Sequence, residues 1–163
     1  IIMDSNLDET TIDYLFEKYK DKKFIVEAIS PTKVLKYKKH LGKLFLIKCN
    51  IHEARMLMGI DLTEKDLVGG LLARGVKNVV VSHGSHDIFF GHDVRKIDLV
   101  KVEEVVDFEN TTGCGDALTS GVIDHFIRGY SLKESVAFGN ELSRLTLMSK
   151  GATTKEIEKY RHV

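Results

Sequence analysis

The sequence is poor in the residues that mark several special protein classes. Its 163 residues include one proline, two cysteines and no tryptophan. A single proline and an ordinary apolar fraction exclude the compositions of disordered chains, and two cysteines cannot build a disulfide framework. No apolar run approaches the roughly 20 residues that a membrane-spanning helix needs. We therefore expect one globular domain in the cytoplasm.

Charge of one sign is also lacking, because 24 lysines and arginines balance 24 aspartates and glutamates. Without excess positive charge, nothing in the bulk composition drives binding to a polyanion. We expect no nucleic-acid partner and no membrane partner.

What the sequence does contain is an alternation of short apolar runs and helical patterns, which predicts an α/β fold with a mostly parallel sheet and helices on both faces. The predicted strands are residues 1–4, 24–26, 44–47, 79–81, 88–90 and 97–102. The predicted helices are residues 8–20, 31–40, 50–59, a segment ending at Gly75, 114–129 and 132–149. The last two strands follow short loops, so we expect antiparallel strands at one edge of the sheet.

Residues 110–117, Asn-Thr-Thr-Gly-Cys-Gly-Asp-Ala, open the first of the two long helices. Gly113 and Gly115 allow backbone angles closed to other residues, so N–H groups can point into one concave space at a helix start. Asp116 is placed to take a proton from a hydroxyl. This pattern predicts a phosphate cradle with a base. Taken alone, it fits an ordinary helix start equally well, since Thr and Asp are common there.

Two further polar clusters follow predicted strands, where ligands bind in parallel sheets. Asn50 and Glu53 are three residues apart and share a helix face, and their oxygens suit a hard cation. An N-cap with a first-turn glutamate explains the same pair. In residues 82–87, Gly84 would let the backbone approach a ligand closely, although a plain hairpin loop also predicts that glycine.

In this order, the motifs resemble those of the ribokinase-like, or PfkB, family of carbohydrate and nucleoside kinases. Residues 110–116 are similar to the family's anion-hole and base signature. Residues 48–54, Lys-Cys-Asn-Ile-His-Glu-Ala, are similar to its Asn-x-x-Glu motif, and residues 82–87 to its Thr-x-Gly-x-x-Gly nucleotide loop. Cys114 replaces the usual Ala or Ser, and Asp87 stands where the loop usually has Gly.

The resemblance implies a ribokinase-like three-layer αβα fold and transfer of the ATP γ-phosphoryl group to a primary hydroxyl of a small nucleoside or sugar. It implies Asp116 as the base and the N–H groups of Gly113, Cys114 and Gly115 as the anion hole. It implies Asn50 and Glu53 as Mg²⁺ contacts through water, and it allows a monovalent cation. The implied nucleotide contacts are Asn50, Glu53, Ser82, Gly84, Asn110, Thr111 and Asn140.

Within the family, several segments resemble the pseudouridine kinases. These are Asp4-Ser5-Asn6-Leu7, residues 26–30 with Lys33, and Asn110 where sugar kinases usually carry Asp. The resemblance thus implies pseudouridine as the acceptor. A sugar kinase and a nucleotide-binding module without turnover stay open as alternatives.

The resemblance covers only the carboxyl-terminal half of a family member. We therefore expect residues 1–163 to be the carboxyl-terminal, nucleotide-binding part of a single kinase domain, without the amino-terminal part and the lid. Such a part is expected to be inactive alone, and the resemblance allows a homodimer of the full-length protein.

Two side-chain expectations complete the sequence-based picture. Cys114, at a helix start, is expected to have a lowered pKa and to be oxidisable. A zinc site is disfavoured, because the histidines and cysteines do not form a quartet with the usual spacing.

Overall fold

The structure is a computed structural model that describes residues 1–106, 108 and 110–160. The chain divides into two compact units, Ile1–Leu99 and Val100–Val163. Of the residues that the structure describes, none belongs to a helix long and apolar enough to cross a membrane.

The first unit contains a six-stranded sheet in which the strands lie side by side in chain order. The strands are β1 (Ile2–Asp4), β2 (Phe24–Glu27), β3 (Leu44–Asn50), β4 (Val79–His83), β5 (His86–Asp93) and β6 (Lys96–Val100). Strands β1 to β4 run parallel, and β5 returns antiparallel to β4. The predicted α/β class, with a mostly parallel sheet and an antiparallel edge, is confirmed.

The register of the parallel strands places their last residues next to one another. Asp4 pairs with Glu27, Glu27 with Lys48, and Asn50 with Ser82. We call this row of strand ends the carboxyl edge of the sheet. It gathers polar side chains from sequence segments that lie far apart along the chain.

Three α-helices of the first unit pack with the sheet around one apolar core. They are α1 (Glu9–Lys18), α2 (Ile51–Met58) and α3 (Glu64–Ala73). The largest fully buried apolar side chains of this core are Phe16, Phe24, Ile12, Tyr37, Leu44, Ile47, Ile51, Leu57, Leu67 and Leu71. As predicted, α2 ends next to Gly59, which has a left-handed backbone. Gly75, where the preceding helical pattern was expected to stop, is also left-handed.

The helix expected after Ser30 is not an α-helix. Residues Lys33–Lys43 form a long 3₁₀ helix. Three of its four buried residues, Val34, Tyr37 and His40, are spaced by three, and the fourth is Leu41. That spacing matches a helix with three residues per turn and places the side chains on one face. The predicted helix at 31–40 is therefore present with shifted bounds, and its 3₁₀ type is not indicated by the Ser-Pro start.

The second unit is a helical hairpin with a following 3₁₀ helix. Its helices are α4 (Cys114–Ile127) and α5 (Leu132–Leu147), and the 3₁₀ helix is Lys155–Tyr160. The two α-helices are in close contact at a pair of glycines. A Cβ added to Gly121 would lie only 2.6 Å from the Gly139 Cα. Both long helices were predicted within two residues of these bounds.

Candidate active site

The start of α4 depends on a glycine with a left-handed backbone. Gly113 has φ 84°, and a Cβ added there would lie 2.0 Å from the carbonyl oxygen of Ala152. A side chain is therefore excluded both by the backbone angle and by the neighbouring backbone. No signal in the sequence indicated that the segment around Ala152 packs against Gly113.

The amino terminus of α4 also differs from those of the other α-helices. Helices α1, α2, α3 and α5 each begin with a side-chain oxygen that accepts a hydrogen bond from a first-turn N–H group. These caps are Asp8, Asn50, Thr63 and Ser131. In α4 the N-cap is Gly113, and no side chain of the described residues caps it. Because the first N–H groups of a helix have no partner inside the helix, this terminus can receive an anion.

Asp116 lies in the exposed first turn of α4. Its neighbour Gly115 is inside the helix and does not have a positive φ. The prediction of an unusual backbone therefore holds for Gly113 and was wrong for Gly115. The carbonyl of Gly115 instead accepts a hydrogen bond from Thr119 Oγ1 at 3.0 Å. A carboxylate and uncapped N–H groups thus share one helix turn, as a base beside an anion site requires.

Cys114 does not have the reactive character that its position suggested. Burial raises the pKa of its thiol, and a hydrogen bond with Ser143 opposes this only in part. The expectation of a lowered pKa was wrong because desolvation of the thiolate outweighs the helix terminus. The thiol is therefore protonated at neutral pH and is a poor target for oxidation.

The loop before α4 is organised by short local hydrogen bonds. Asn110 Oδ1 accepts from the Thr112 N–H at 2.9 Å, and the Thr111 carbonyl accepts from the Cys114 N–H at 3.3 Å. The Cys114 N–H group, one of the predicted anion-hole donors, is therefore already in a long hydrogen bond. Asn140, predicted as a nucleotide contact, donates from Nδ2 to the Lys101 carbonyl at 3.3 Å.

At the carboxyl edge, Asn50 and Glu53 bond to each other. Asn50 Oδ1 accepts from the Glu53 N–H at 3.0 Å, and Glu53 Oε2 accepts from the Asn50 N–H at 2.7 Å. This is a complete capping box at the start of α2. The expectation of an N-cap asparagine with a first-turn glutamate is thus confirmed.

Glu53 carries an additional electrostatic feature. The residue is 1% exposed, and burial raises the pKa of its carboxyl group from 4.5 to about 7, against the hydrogen bonds from Asn50 and the charge of Lys48. Lys48 itself is buried and forms an ion pair with Glu27, with Nζ 2.8 Å from Oε1. Sequence reasoning named both residues as parts of motifs but missed the pair, which depends on the β2–β3 register.

A third cluster joins the segments that resemble pseudouridine kinases. Lys33 Nζ donates to Asn6 Oδ1 at 2.7 Å, and Ser5 Oγ donates to the Glu27 carbonyl at 3.5 Å. The 3₁₀ helix also contributes Tyr37, whose hydroxyl donates to the Asp4 carbonyl at 2.6 Å. The end of β1 is therefore tied both to β2 and to the 3₁₀ helix.

The segment 82–87 is a tight hairpin connection. Gly84 has φ 54°, and the strands β4 and β5 pair at His83 and His86 on either side of it. His83 Nδ1 lies 2.5 Å from Glu64 Oε1, and the ring of His83 stacks on His86 with centroids 4.5 Å apart. Among the residues that the structure describes, no three His, Cys, Asp or Glu side chains form a metal-binding group.

Comparisons with known proteins provide an independent assignment. The model of the pfkB family of carbohydrate kinases matches residues 2–159. The pseudouridine kinase of Escherichia coli (strain K12) is 25% identical over 151 residues, which are 90% of this chain and 48% of that protein. The ribokinase of Staphylococcus aureus (strain COL) is 28% identical over 119 residues, which are 69% of this chain and 38% of that protein.

Among solved structures, a carbohydrate kinase from Agrobacterium tumefaciens superposes with a TM-score of 0.75 at 27% identity. The match covers 93% of this chain and 48% of that one. The chain thus spans about half the length, or less, of the relatives that it matches.

Proposed function

The chain belongs to the pfkB family of carbohydrate kinases, and we propose that it carries the nucleotide-binding and catalytic residues of an ATP-dependent phosphotransferase. The acceptor is a primary hydroxyl of a nucleoside or sugar, and pseudouridine is our first choice. The observation that carries this proposal is the start of α4, where an uncapped helix terminus and Asp116 occupy the same turn.

In the proposed reaction, the oxygen of the acceptor hydroxyl attacks the γ-phosphorus of ATP, and Asp116 accepts the proton of that hydroxyl. The bond to the bridging oxygen breaks, and ADP leaves. The N–H groups of Gly113, Cys114 and Gly115 donate hydrogen bonds to the oxygens of the transferred phosphoryl group. These fixed dipoles stabilise the negative charge that develops there in the transition state. Cys114 would exchange its 3.3 Å bond to the Thr111 carbonyl for this contact. The remaining nucleotide contacts are assigned to Ser82, Gly84, Asn110, Thr111 and Asn140.

Asn50 and Glu53 are assigned to Mg²⁺, which when bound neutralises phosphate charge. The residues fit this role, since burial disfavours the charge of the Glu53 carboxylate and a nearby divalent cation would restore its ionised form. Both carry oxygen ligands, which Mg²⁺ prefers, and both are held rigidly by the capping box. The capping bonds engage the single side-chain oxygen of Asn50 and one of the two carboxylate oxygens of Glu53, and we therefore assign the metal contact to a bridging water molecule.

The acceptor is inferred from resemblance at the end of β1. Similarity to the pseudouridine kinase of Escherichia coli supports a nucleoside as the acceptor. The hydrogen bond from Lys33 to Asn6 brings together two of the segments that resemble such enzymes. The ribokinase of Staphylococcus aureus supports a free sugar as the alternative acceptor.

A panel of acceptors tests the proposal. Pseudouridine, uridine, adenosine and ribose are incubated with Mg-ATP, and ADP release is measured. Because the chain spans about half the length of its relatives, the assay compares the 163-residue chain with the longest natural reading frame that contains it. Turnover with pseudouridine above all other acceptors supports our choice. Preference for ribose favours the sugar kinase, and binding of Mg-ATP without turnover in either sample contradicts the enzyme assignment.

The metal assignment has a matched control, because α5 begins with a second capping box formed by Ser131 and Glu134. Glu53→Gln and Glu134→Gln remove the same group from the same helix position. We expect only Glu53→Gln to raise the Mg²⁺ concentration needed for ATP binding, by at least about 10-fold. If ATP binding requires the same Mg²⁺ concentration in the two variants, Glu53 only caps its helix and the metal assignment is wrong.

A further inference from the structure

The net charge of the chain is zero, but its positive and negative side chains are concentrated in different parts of the sequence. Residues 18–43 contain nine lysines and only two carboxylates. Since the whole chain has 24 residues of each sign, the remaining residues contain 15 basic and 22 acidic side chains. Bulk composition therefore underestimates the positive potential of one part of the surface.

The fold of the first unit places four of these nine lysines, Lys20, Lys22, Lys23 and Lys43, at the edge of the sheet opposite the carboxyl edge. Lys23 directly precedes β2, and Lys43 directly precedes β3. The loop before β4 joins them, because the Lys77 N–H donates to the Leu44 carbonyl at 3.1 Å. The same loop packs against Gly42, whose Cα would lie 3.0 Å from a Cβ added to Gly75. Neighbouring strands are about 5 Å apart, so these loops form one continuous surface.

We call this surface the basic edge. It comprises Lys20, Lys22, Lys23, Lys43, Arg74 and Lys77, all of which are exposed. Within the described ranges, none of the six forms a salt bridge, whereas Lys39 is paired with Asp13 and Lys48 with Glu27. The segments 20–23, 42–43 and 74–77 include a single carboxylate, Asp21. The positive charge of the basic edge is therefore largely uncompensated.

Two exposed aromatic residues precede the basic edge along the chain, Tyr14 within α1 and Tyr19 at its carboxyl-terminal cap. Tyr14 is 55% exposed and Tyr19 is 37% exposed. The ammonium group of Lys18 lies 5.1 Å from the ring centroid of Tyr14 and 5.5 Å from that of Tyr19. Flexible lysines act as point charges for backbone phosphates, and exposed aromatic faces stack on unpaired bases. The combination fits a chain of phosphates that also carries bases.

We propose that the basic edge binds the phosphate backbone of a single-stranded nucleic acid, with Tyr14 and Tyr19 stacking on its bases. This partner contradicts the expectation drawn from net charge. The surface lies at the opposite ends of the strands from Asn50 and Ser82, so it is separate from the carboxyl edge. The proposal does not depend on the kinase assignment, and its test uses no nucleotide substrate.

The test is fluorescence anisotropy of a labelled oligouridylate of about 12 nucleotides, titrated with the 163-residue chain between about 50 and 200 mM salt. Each phosphate contact contributes about −0.7 to the slope of log K against log salt for a single strand, so four to six contacts predict a slope of about −3 to −4. The triple variant K20Q/K22Q/K23Q should weaken binding at least about 10-fold and reduce the slope by about 2.

The matched control K65Q/K96Q/K150Q removes three exposed lysines outside the basic edge and changes the net charge equally. We expect it to change affinity by less than about twofold. Tyr19→Ser should weaken binding of the oligonucleotide and leave binding of inorganic polyphosphate unchanged. Absence of binding at the lowest salt, an equal loss in the control, or an unchanged affinity of Tyr19→Ser would overturn the proposal. Urea unfolding of each variant verifies that the fold is intact.

Discussion

Replacing Gly113 by alanine tests how tightly the start of α4 is constrained. A left-handed backbone costs a residue with a Cβ about 1–2 kcal/mol. At Gly113 the new Cβ would also lie 2.0 Å from the carbonyl oxygen and 2.8 Å from the carbonyl carbon of Ala152. Both are backbone atoms, so the segment must move, and such overpacking costs about 1–3 kcal/mol more. We expect Gly113→Ala to lower the free energy of unfolding by about 2–5 kcal/mol.

The other end of the same helix provides the control. Gly129 has φ 94°, and a Cβ added there meets no atom of the described residues within 4 Å. Gly129→Ala should therefore cost only the backbone term of about 1–2 kcal/mol. Urea unfolding of both variants measures the difference. Equal losses in the two variants would refute the contact between Gly113 and Ala152 as the reason for glycine at this position.

Three further predictions concern the carboxyl edge and its neighbours. Burial raises the pKa of Glu53 from 4.5 to about 7 in the folded chain. As the pH rises from about 4.5 to 7, the carboxyl group ionises in the unfolded chain but stays protonated in the folded one, so the free energy of unfolding falls. Urea unfolding at pH 5 and 7.5 should show this loss, up to about 3 kcal/mol, in the wild type, and Glu53→Gln should lack it. An identical pH dependence in the two proteins would contradict the burial argument. Lys48→Met should cost about 3–5 kcal/mol by removing the ammonium group of the ion pair with Glu27, and replacing both residues by Met should restore most of the loss. If the double variant is no more stable than Lys48→Met in urea, the ion pair is not the source of the cost. Asn50→Ala and Ser131→Ala should each cost about 1 kcal/mol in unfolding, because both are N-caps. Calorimetric titration should show weaker Mg-ATP binding for Asn50→Ala only, and equal affinities would argue against its ligand role.

Much of the fold could be predicted from local patterns. The element order, the N-cap at Asn50 and the left-handed Gly59 follow from residue types whose preferences are strong and local. The ribokinase-like α/β fold is confirmed, both by the sheet and by the superposition with a solved carbohydrate kinase.

What the sequence did not predict depends on contacts between distant segments. The ion pair of Lys48 with Glu27 needs the register of two strands, and the raised pKa of Cys114 results from tertiary burial. The need for glycine at position 113 comes partly from a segment almost 40 residues later, near Ala152. Local propensity contains no information on any of these contacts, so only the folded chain could display them.

The assignment of Asp116 as the catalytic base is tested most directly by the rate of phosphoryl transfer. The assay uses the longest natural reading frame containing this chain, with the preferred acceptor and Mg-ATP. Asp116→Asn should lower kcat by about 10²–10⁴-fold, since that is what a general base contributes, and should leave the KM for ATP nearly unchanged. Asp124→Asn, in the same helix α4, is the control and should retain full turnover. Turnover of Asp116→Asn within a few-fold of the wild type would contradict the account.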